Sequence, residues 1–253
     1  MGKIKNEDEI KLMRSAGKIN FQTHELIKNN IKVGITTKEL DKLAYDFIKE
    51  NNAIPSFLGY SGFPASICVS VNDEIVHGIP SSYALKNGDI VSVDIGVYKD
   101  GYHSDAARTH IVGNTTKARR LLVENTEKSL YEGLSAVKAG ALISDIGAKV
   151  EKFAHACGLS VVEELVGHGV GKNLHESPDV PNYYTDAKDV LEEGMVIAVE
   201  PMLNLGKKDI YLEEDDWTIK TDDEMPSAHF EHTVLVTKTG YQILTGEWRY
   251  GKK

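Results

Sequence analysis

Asn87-Gly88-Asp89-Ile90-Val91-Ser92-Val93-Asp94-Ile95-Gly96-Val97-Tyr98 leads into Lys99-Asp100-Gly101 and returns to Asp105. Val91, Val93, Ile95 and Val97 alternate, the period of a strand with one buried face. Asp94 falls on the other face, between Ser92 and Gly96. A carboxylate within such an apolar strand is costly unless it is paired, hydrogen-bonded or metal-bound. Asp100-Gly101 is a strong hairpin signal. A turn of two or four residues sets Asp105 opposite Gly96 and diagonal to Asp94 on one face; a three-residue turn breaks that parity. Diagonal cross-strand neighbours lie about 7–8 Å apart, a span that one or two metal ions bridge. Two solvated edge acids remain the alternative at this point. The small neighbours Ser92 and Gly96 are expected to leave room for a metal site.

The whole chain has 253 residues, enough for a large core in one domain or two fused halves. A formal net charge of -9 disfavours nucleic acid as a partner. Lys3, Lys5, Lys11, Arg14 and Lys18 nevertheless make the N-terminal segment locally basic. The two cysteines, Cys68 and Cys157, have no CxxC spacing, which speaks against a structural disulfide or zinc knuckle and for a reducing cytoplasm. No apolar run reaches membrane-spanning length, and the polar N-terminus has no signal peptide pattern. Asn6 stands where a myristoylation signal on Gly2 needs Ser or Thr.

Apolar periodicity predicts a helix over about 7–28, with Ile10, Met13, Gly17, Phe21 and Ile27 on its stripe. A capping box, Thr36-x-x-Glu39, opens a second. Residues 53–64 read as an irregular loop, followed by a strand over 66–71. Thr115 or Thr116 caps a third helix, which Gly140 breaks, and a fourth runs from about Ser144 to Cys157. Further strands are expected over 159–166, over 195–203 carrying Glu200, over 228–236 carrying Glu231, and over 241–244. Residues 176–193 read as a polar connection, and the acidic stretch containing Trp217 as a loop.

The chain aligns with itself at an offset of 106 residues. Gly34 matches Gly140, Phe47 matches Phe153, Leu85-Lys86-Asn87-Gly88 matches Leu191-Glu192-Glu193-Gly194, and Asp94 falls on Glu200. Such a duplication implies two helix-plus-strand halves, about 1–114 and 115–253, within one catalytic domain spanning 1–253. The expected architecture is α+β, a curved antiparallel sheet covered by helices, with acids converging near a pseudo-twofold axis.

Asp94, Asp105, Glu200 and Glu231 on strands, with His168 among glycines in Gly167-His168-Gly169-Val170-Gly171, form the candidate chemistry. Four carboxylates brought together repel unless cations neutralise them. Oxygen-rich ligands with one imidazole suit two divalent ions: manganese, iron, cobalt or zinc. Two such metals, held about 3.5–4 Å apart, activate water and clamp an oxyanion, the equipment for amide hydrolysis. His77 and His175 sit in Gly- or Pro-bounded turns, placed to donate to a tetrahedral intermediate. His24, His103, His110, His155, His229 and His232 read as structural. His103 and His229 each precede an acid by two residues, leaving a supporting role open.

The segments Gly59-Tyr60-x-Gly62-x-Pro64, His77-Gly78-Ile79-Pro80, Asp94 with Asp105, Gly167-His168-Gly169-x-Gly171-x-x-x-His175-Glu176, Glu200-Pro201-Met202 and Glu231-His232-Thr233 resemble type I methionine aminopeptidase in its short bacterial form. The resemblance runs in order over nearly the whole chain. It implies the duplicated pita-bread fold, a dinuclear metal centre and removal of initiator methionine from nascent polypeptides with a small second residue. By position, Asp94 would chelate one metal, His168 and Glu200 the other, with Asp105 and Glu231 bridging. Glu200 would be the general base. His77 and His175 would contact substrate, with His175 polarising the scissile carbonyl. Tyr60, Phe63, Cys68, Leu174 and Trp217 would form the methionine pocket, where ring edges and soft sulfur suit a thioether. Phe63, Leu174 and Phe57 depart from some bacterial members, which carry Tyr, Phe and Cys there; the pocket stays apolar. Only 30 residues separate Glu200 from Glu231, too few for the helical insertion of type II enzymes. The start close to the first helix fits the short form. The resemblance also implies a monomer, and action on nascent chains makes the ribosome a candidate partner; the basic N-terminal helix fits such a contact, though a solvated Lys-rich face is the commoner reading of it.

Two rivals use the same fold. An Xaa-Pro aminopeptidase or prolidase shares the five ligands, and Ser104-Asp105-x-x-Arg108-Thr109 suits it. His77-Gly78-Ile79-Pro80 and the Tyr60–Pro64 loop fit the methionine group better. A non-catalytic binding protein would be expected to lose metal ligands, and all five are present.

Overall fold

Asn6 opens helix α1, Glu7–Asn30: its side chain accepts the N–H groups of Asp8 and Glu9, and Glu9 returns the bond to the Asn6 N–H. Three N–H donors are thereby satisfied at once. Thr36 and Glu39 form the same kind of reciprocal box for α2, Thr37–Glu50. Thr116 caps α3, Lys117–Leu134, and α4 spans Ser144–Ala156. The computed structural model describes residues 2–246.

The hairpin pairs Ile90–Lys99 with Tyr102–Ile111 around a two-residue turn, Asp100-Gly101. Gly96 faces Asp105 and Asp94 faces Ala107, the parity expected of an even turn. The side chains of Val91, Val93, Ile95 and Val97 turn to α1 and α2 and join Ala16, Ile27, Leu40, Ala44 and Ile48 in one apolar cluster. A second, larger cluster unites Leu122, Leu130 and Leu134 of α3 and Ile146 of α4 with Ile197, Val199, Val234 and Val236. Helices therefore cover one side of an antiparallel sheet twice, an α+β architecture.

The duplication is written into the backbone. The Gly34 N–H donates to the Leu85 carbonyl at 2.8 Å, and the Gly140 N–H to that of Leu191 at 2.8 Å. Leu85 answers to Ile35 and Leu191 to Ala141, and single bridges join Thr36 to Ala84 and Leu142 to Val190. Each pair is related to the other by the same offset of 106. Gly34 and Gly140 both take left-handed φ, 92° and 85°, which explains why glycine stands at both places.

Several elements differ from their sequence expectations. The sheet is divided into four hydrogen-bonded pieces, all of whose pairs are antiparallel. The expected strand over 195–203 is two, Val196–Val199 and Met202–Asn204, broken at Glu200-Pro201. That over 228–236 is likewise two, Ser227–His229 and His232–Val236, broken at Phe230-Glu231. At each break the chain leaves one sheet for another, since Val196–Val199 pairs with His232–Val236 and Met202–Asn204 with Ser227–His229. Of the expected strand over 159–166 only Ser160–Val161 is extended in a ladder. The polar connection contains a strand, Glu176–Val180, paired with Gly167–Gly169. The acidic loop is a hairpin, Ile210–Leu212 with Ile219–Thr221, whose second strand pairs with Glu74–Val76.

Candidate metal centre and substrate pocket

The two sheet breaks aim Glu200 and Glu231 at the hairpin acids. The Glu231 N–H donates to the Ala107 carbonyl at 2.9 Å, across from Asp94. The Asp105 N–H donates to Thr233 Oγ1 at 2.9 Å, and that hydroxyl donates back to the Asp105 carbonyl at 2.7 Å. These bonds stitch residues more than a hundred positions apart into one register. His168 enters from Gly167–Gly169. Its Nδ1 is 2.9 Å from the Gly169 carbonyl, which leaves Nε2 facing the acids. Nε2 lies 3.6 Å from Glu200 Oε1 and 3.8 Å from Asp105 Oδ2. The glycines flanking His168 let neighbouring strands close in: a Cβ on Gly167 would stand 2.4 Å from the Ala198 carbonyl oxygen.

Ligand atoms of Asp94, Asp105 and Glu231 lie within 4.8 Å of one another, as do those of His168, Glu200 and Glu231. Asp105, His168 and His175 form a third such group. The structure thus brings together all five residues singled out as ligands. Asp94 Oδ1, Asp105 Oδ1 and Glu231 Oε1 are buried with no hydrogen-bond partner. Buried carboxylate oxygens in that condition are costly, and divalent cations fit the donor set. Burial lifts the Asp94 and Glu200 carboxyls to about 7; repulsion from Glu200 adds at Asp94, and His168 opposes at Glu200. Asp105 and Glu231 are pushed well above the usual range by burial and by their acidic neighbours.

The room expected beside Ser92 and Gly96 is not part of this centre. A Cβ on Gly96 would meet Ser56 Cβ at 2.6 Å and Phe57 Cε1 at 2.7 Å, because the strand Ile54–Pro55 pairs antiparallel beside Val97 and Tyr98 and the chain continues past Gly96, where the Ser56 N–H donates to the Gly96 carbonyl. Ser92 Oγ pairs with Thr109 Oγ1 at 2.8 Å. Gly96 serves close packing, and Ser92 a buried hydroxyl pair.

Beside the acids is a cavity of about 230 Å³. Its apolar wall is Phe57, Phe63, Cys68, Leu174 and Trp217, and Tyr60, His77 and His175 also line it. Phe63 and Trp217 meet edge to face, centroids 5.1 Å apart. Cys68 stands opposite Asp94 in the sheet, so the pocket floor adjoins the centre directly. Tyr60 Oη is 2.8 Å from His175 Nδ1, and the His175 ring lies 4.1 Å from that of His168, at the mouth. His77 follows the strand Glu74–Val76 with a left-handed φ of 58°. Burial lowers its imidazole to about 4, with His229 adding to the shift.

Among the remaining histidines, His103 hydrogen-bonds Ser56, His24 the Ala106 carbonyl and His232 the Thr245 hydroxyl. His155 is exposed. His229 is different: it lines the cavity, with Nε2 3.6 Å from Glu200 Oε2. Its position two residues before Glu231 was the one signal for it in the sequence. Val76, Leu165, Val166 and Met202 also line the cavity, and nothing local distinguishes them from other core residues.

Residues 11–238 match the model of metallopeptidase family M24. The chain is 50% identical over 242 residues to methionine aminopeptidase 1 of Bacillus subtilis (strain 168), covering 95% of this chain and 98% of that protein. Its fold superposes on the crystal structure of methionine aminopeptidase from Thermotoga maritima with a TM-score of 0.96 at 39% identity, covering 98% of this chain and all of the other. Prolidase from Pyrococcus furiosus shares the fold at a TM-score of 0.77 and 24% identity; this chain spans 66% of that one. An apolar pocket against a cluster of four acids and a histidine, with matches over nearly the full length of both chains, leads to one conclusion: this chain belongs to metallopeptidase family M24, and within it to the methionine aminopeptidases.

Proposed function

We propose that this chain hydrolyses the first peptide bond of polypeptides that begin with methionine, preferring a small second residue. The observation that carries the reading is the apolar pocket ending on the acid cluster, with Phe63 and Trp217 packed edge to face in its wall. A thioether side chain fits such a wall, and sulfur–ring contacts contribute about 0.3–1.5 kcal/mol each. The methionine side chain lies against Phe63, Cys68, Leu174 and Trp217, and the scissile bond falls beside Glu200 and His175.

Asp94, Asp105, His168, Glu200 and Glu231 would hold two divalent cations. When bound, these would supply Lewis acidity, making water acidic enough to attack and stabilising the oxyanion. Glu200 accepts the proton of the attacking water and passes it to the leaving amine. His175, held by Tyr60 Oη, donates to the carbonyl oxygen as charge develops there. His77, largely neutral at pH 7, hydrogen-bonds the substrate backbone without adding charge beside the substrate's terminal ammonium. The substrates are the N-termini of nascent proteins.

The test is cleavage of Met-Ala-Ser by chelated protein resupplied with manganese, iron, cobalt or zinc in turn, alongside an Xaa-Pro peptide. Metal-dependent release of methionine, falling as the second residue grows, is expected. Preference for Xaa-Pro, or turnover in the presence of chelator, would overturn the reading.

A further inference from the structure

His229 ends the strand Ser227–His229 and is only 1% exposed. Its backbone is held on both sides by one hydroxyl. The His229 N–H donates to Thr109 Oγ1 at 2.9 Å, and Thr109 Oγ1 donates to the His229 carbonyl at 2.9 Å. Ser92 Oγ supports that hydroxyl at 2.8 Å. A ring mounted on so constrained a backbone has little freedom. Its Nε2 is buried without a hydrogen-bond partner and lies 3.6 Å from Glu200 Oε2. The other oxygen, Oε1, lies 3.6 Å from His168 Nε2. Glu200 is therefore bracketed by two imidazoles, one on each oxygen.

The two imidazoles are not equivalent. His168 belongs to two groups of converging ligand atoms, whereas among the described residues no such group includes His229. An N–H aimed at the outer oxygen of a ligating carboxylate orients that carboxylate and tunes its hold on a cation. We propose that His229 is a positioning residue for Glu200, donating its Nε2 proton to Oε2 so that Oε1 stays turned to His168. The orphaned Nε2 then has its partner, and Glu200 keeps one fixed orientation for both cation binding and proton transfer. This inference rests on the role given to Glu200 above.

Four single variants of the full chain test it: His229→Leu, His229→Asn, His229→Gln and Glu200→Gln. The readouts are manganese affinity of the chelated protein by calorimetry, and kcat and KM on Met-Ala-Ser. Gln carries an N–H donor on a reach close to that of Nε2; the Asn amide stops short, and Leu has no donor. His229→Leu and His229→Asn are expected to weaken manganese binding about tenfold or more and to lower kcat about tenfold or more, with KM within about twofold. His229→Gln is expected to keep both within about threefold. A protein in which His229 only fills space would respond to size and not to the donor. Unchanged affinity and kcat in the Leu or Asn variant, or a Gln variant no better than Asn, would overturn the proposal; the Asn and Gln pair decides it if His229→Leu does not fold. Glu200→Gln separates the two readings. If it stays active, the role of Glu200 fails; if it is inactive while His229→Asn is normal, only this inference fails.

Discussion

Lys5 Nζ lies 2.7 Å from Glu176 Oε2, with the two side chains only 4% and 5% exposed. The pair ties the segment before α1 to the residue after His175. Glu176 Oε1 also accepts the Asn173 N–H at 3.2 Å, closing the loop that carries Leu174 and His175. Burial raises the Glu176 carboxyl, but the Lys5 and Asn173 bonds outweigh it and leave it below its ordinary value. Removing one partner of a buried ion pair costs about 3–5 kcal/mol, whereas replacing both with apolar groups is often neutral. Lys5→Met should therefore lower stability by about 3 kcal/mol, and Lys5→Met with Glu176→Leu should recover much of it. Urea denaturation of the unaltered protein, Lys5→Met, Glu176→Leu and the double variant measures this; a double variant as unstable as the sum of the two singles would refute it.

The acid cluster makes the stability of chelated protein fall as pH rises through the range between its unfolded and folded titrations. Asp94 and Glu200 release their protons near 7 in the fold, and Asp105 and Glu231 well above their usual range. In the unfolded chain all four do so near 4. A raised folded pKa contributes stability that is fully present below the unfolded value and is lost as pH rises through the folded one. The melting temperature of chelated protein should decline from about pH 4 upward, the share of Asp94 and Glu200 being lost by the time pH passes their folded values of about 7 and that of Asp105 and Glu231 continuing to fall beyond. With manganese present the decline should be smaller, because cations bind the ionised carboxylates. Parallel thermal scans with and without metal check this.

Trp217 is set against Phe63 by a short acid turn. Asp215 accepts the N–H of Trp217 at 2.9 Å, and the N–H and hydroxyl of Thr218 at 2.7 and 2.6 Å. Asp215→Ala should loosen the indole and raise KM for Met-Ala-Ser severalfold with little change in kcat, since the contact serves ground state and transition state alike. A kcat loss without a KM change would contradict this.

Gly96 packs against Ser56 and Phe57 and not against the acid cluster. Gly96→Ala should cost about 1–3 kcal/mol through overpacking. Its manganese stoichiometry should match that of the unaltered protein. Denaturation and elemental analysis on one preparation separate the two effects, and loss of metal at full stability would reverse the assignment.

Much of the site was legible because its signals are local. Asp94 stands out within an apolar alternation and His168 within a run of glycines; in the fold, Glu39 three residues after Thr36 marks a helix start in the same local way. The offset of 106 carried the architecture, since glycines with left-handed φ recur wherever the same backbone is built. His229 was not separable from His103, which also precedes an acid by two residues, because its distinction is a distance to Glu200 across a sheet break. The hairpin around Trp217 was hidden because its strands, Ile210–Leu212 and Ile219–Thr221, are three residues each and the acids Glu213, Glu214, Asp215 and Asp216 fill the turn between them.

The sequence alone specifies helices α1 to α4, the Thr36–Glu39 cap, the Asp100-Gly101 turn and the glycines of the duplication. Each follows from φ preferences, capping chemistry or periodicity within a short window. That the turn has two residues, which sets Asp105 opposite Gly96, was decided by the structure. Only the tertiary structure decided where the strands break at Glu200 and Glu231, which acid faces which histidine, and that Gly96 belongs to packing. Those outcomes depend on hydrogen bonds such as Glu231 to Ala107 and Thr233 to Asp105, whose partners lie more than a hundred residues apart. A local window has no access to them, because they form only when the two halves close on each other.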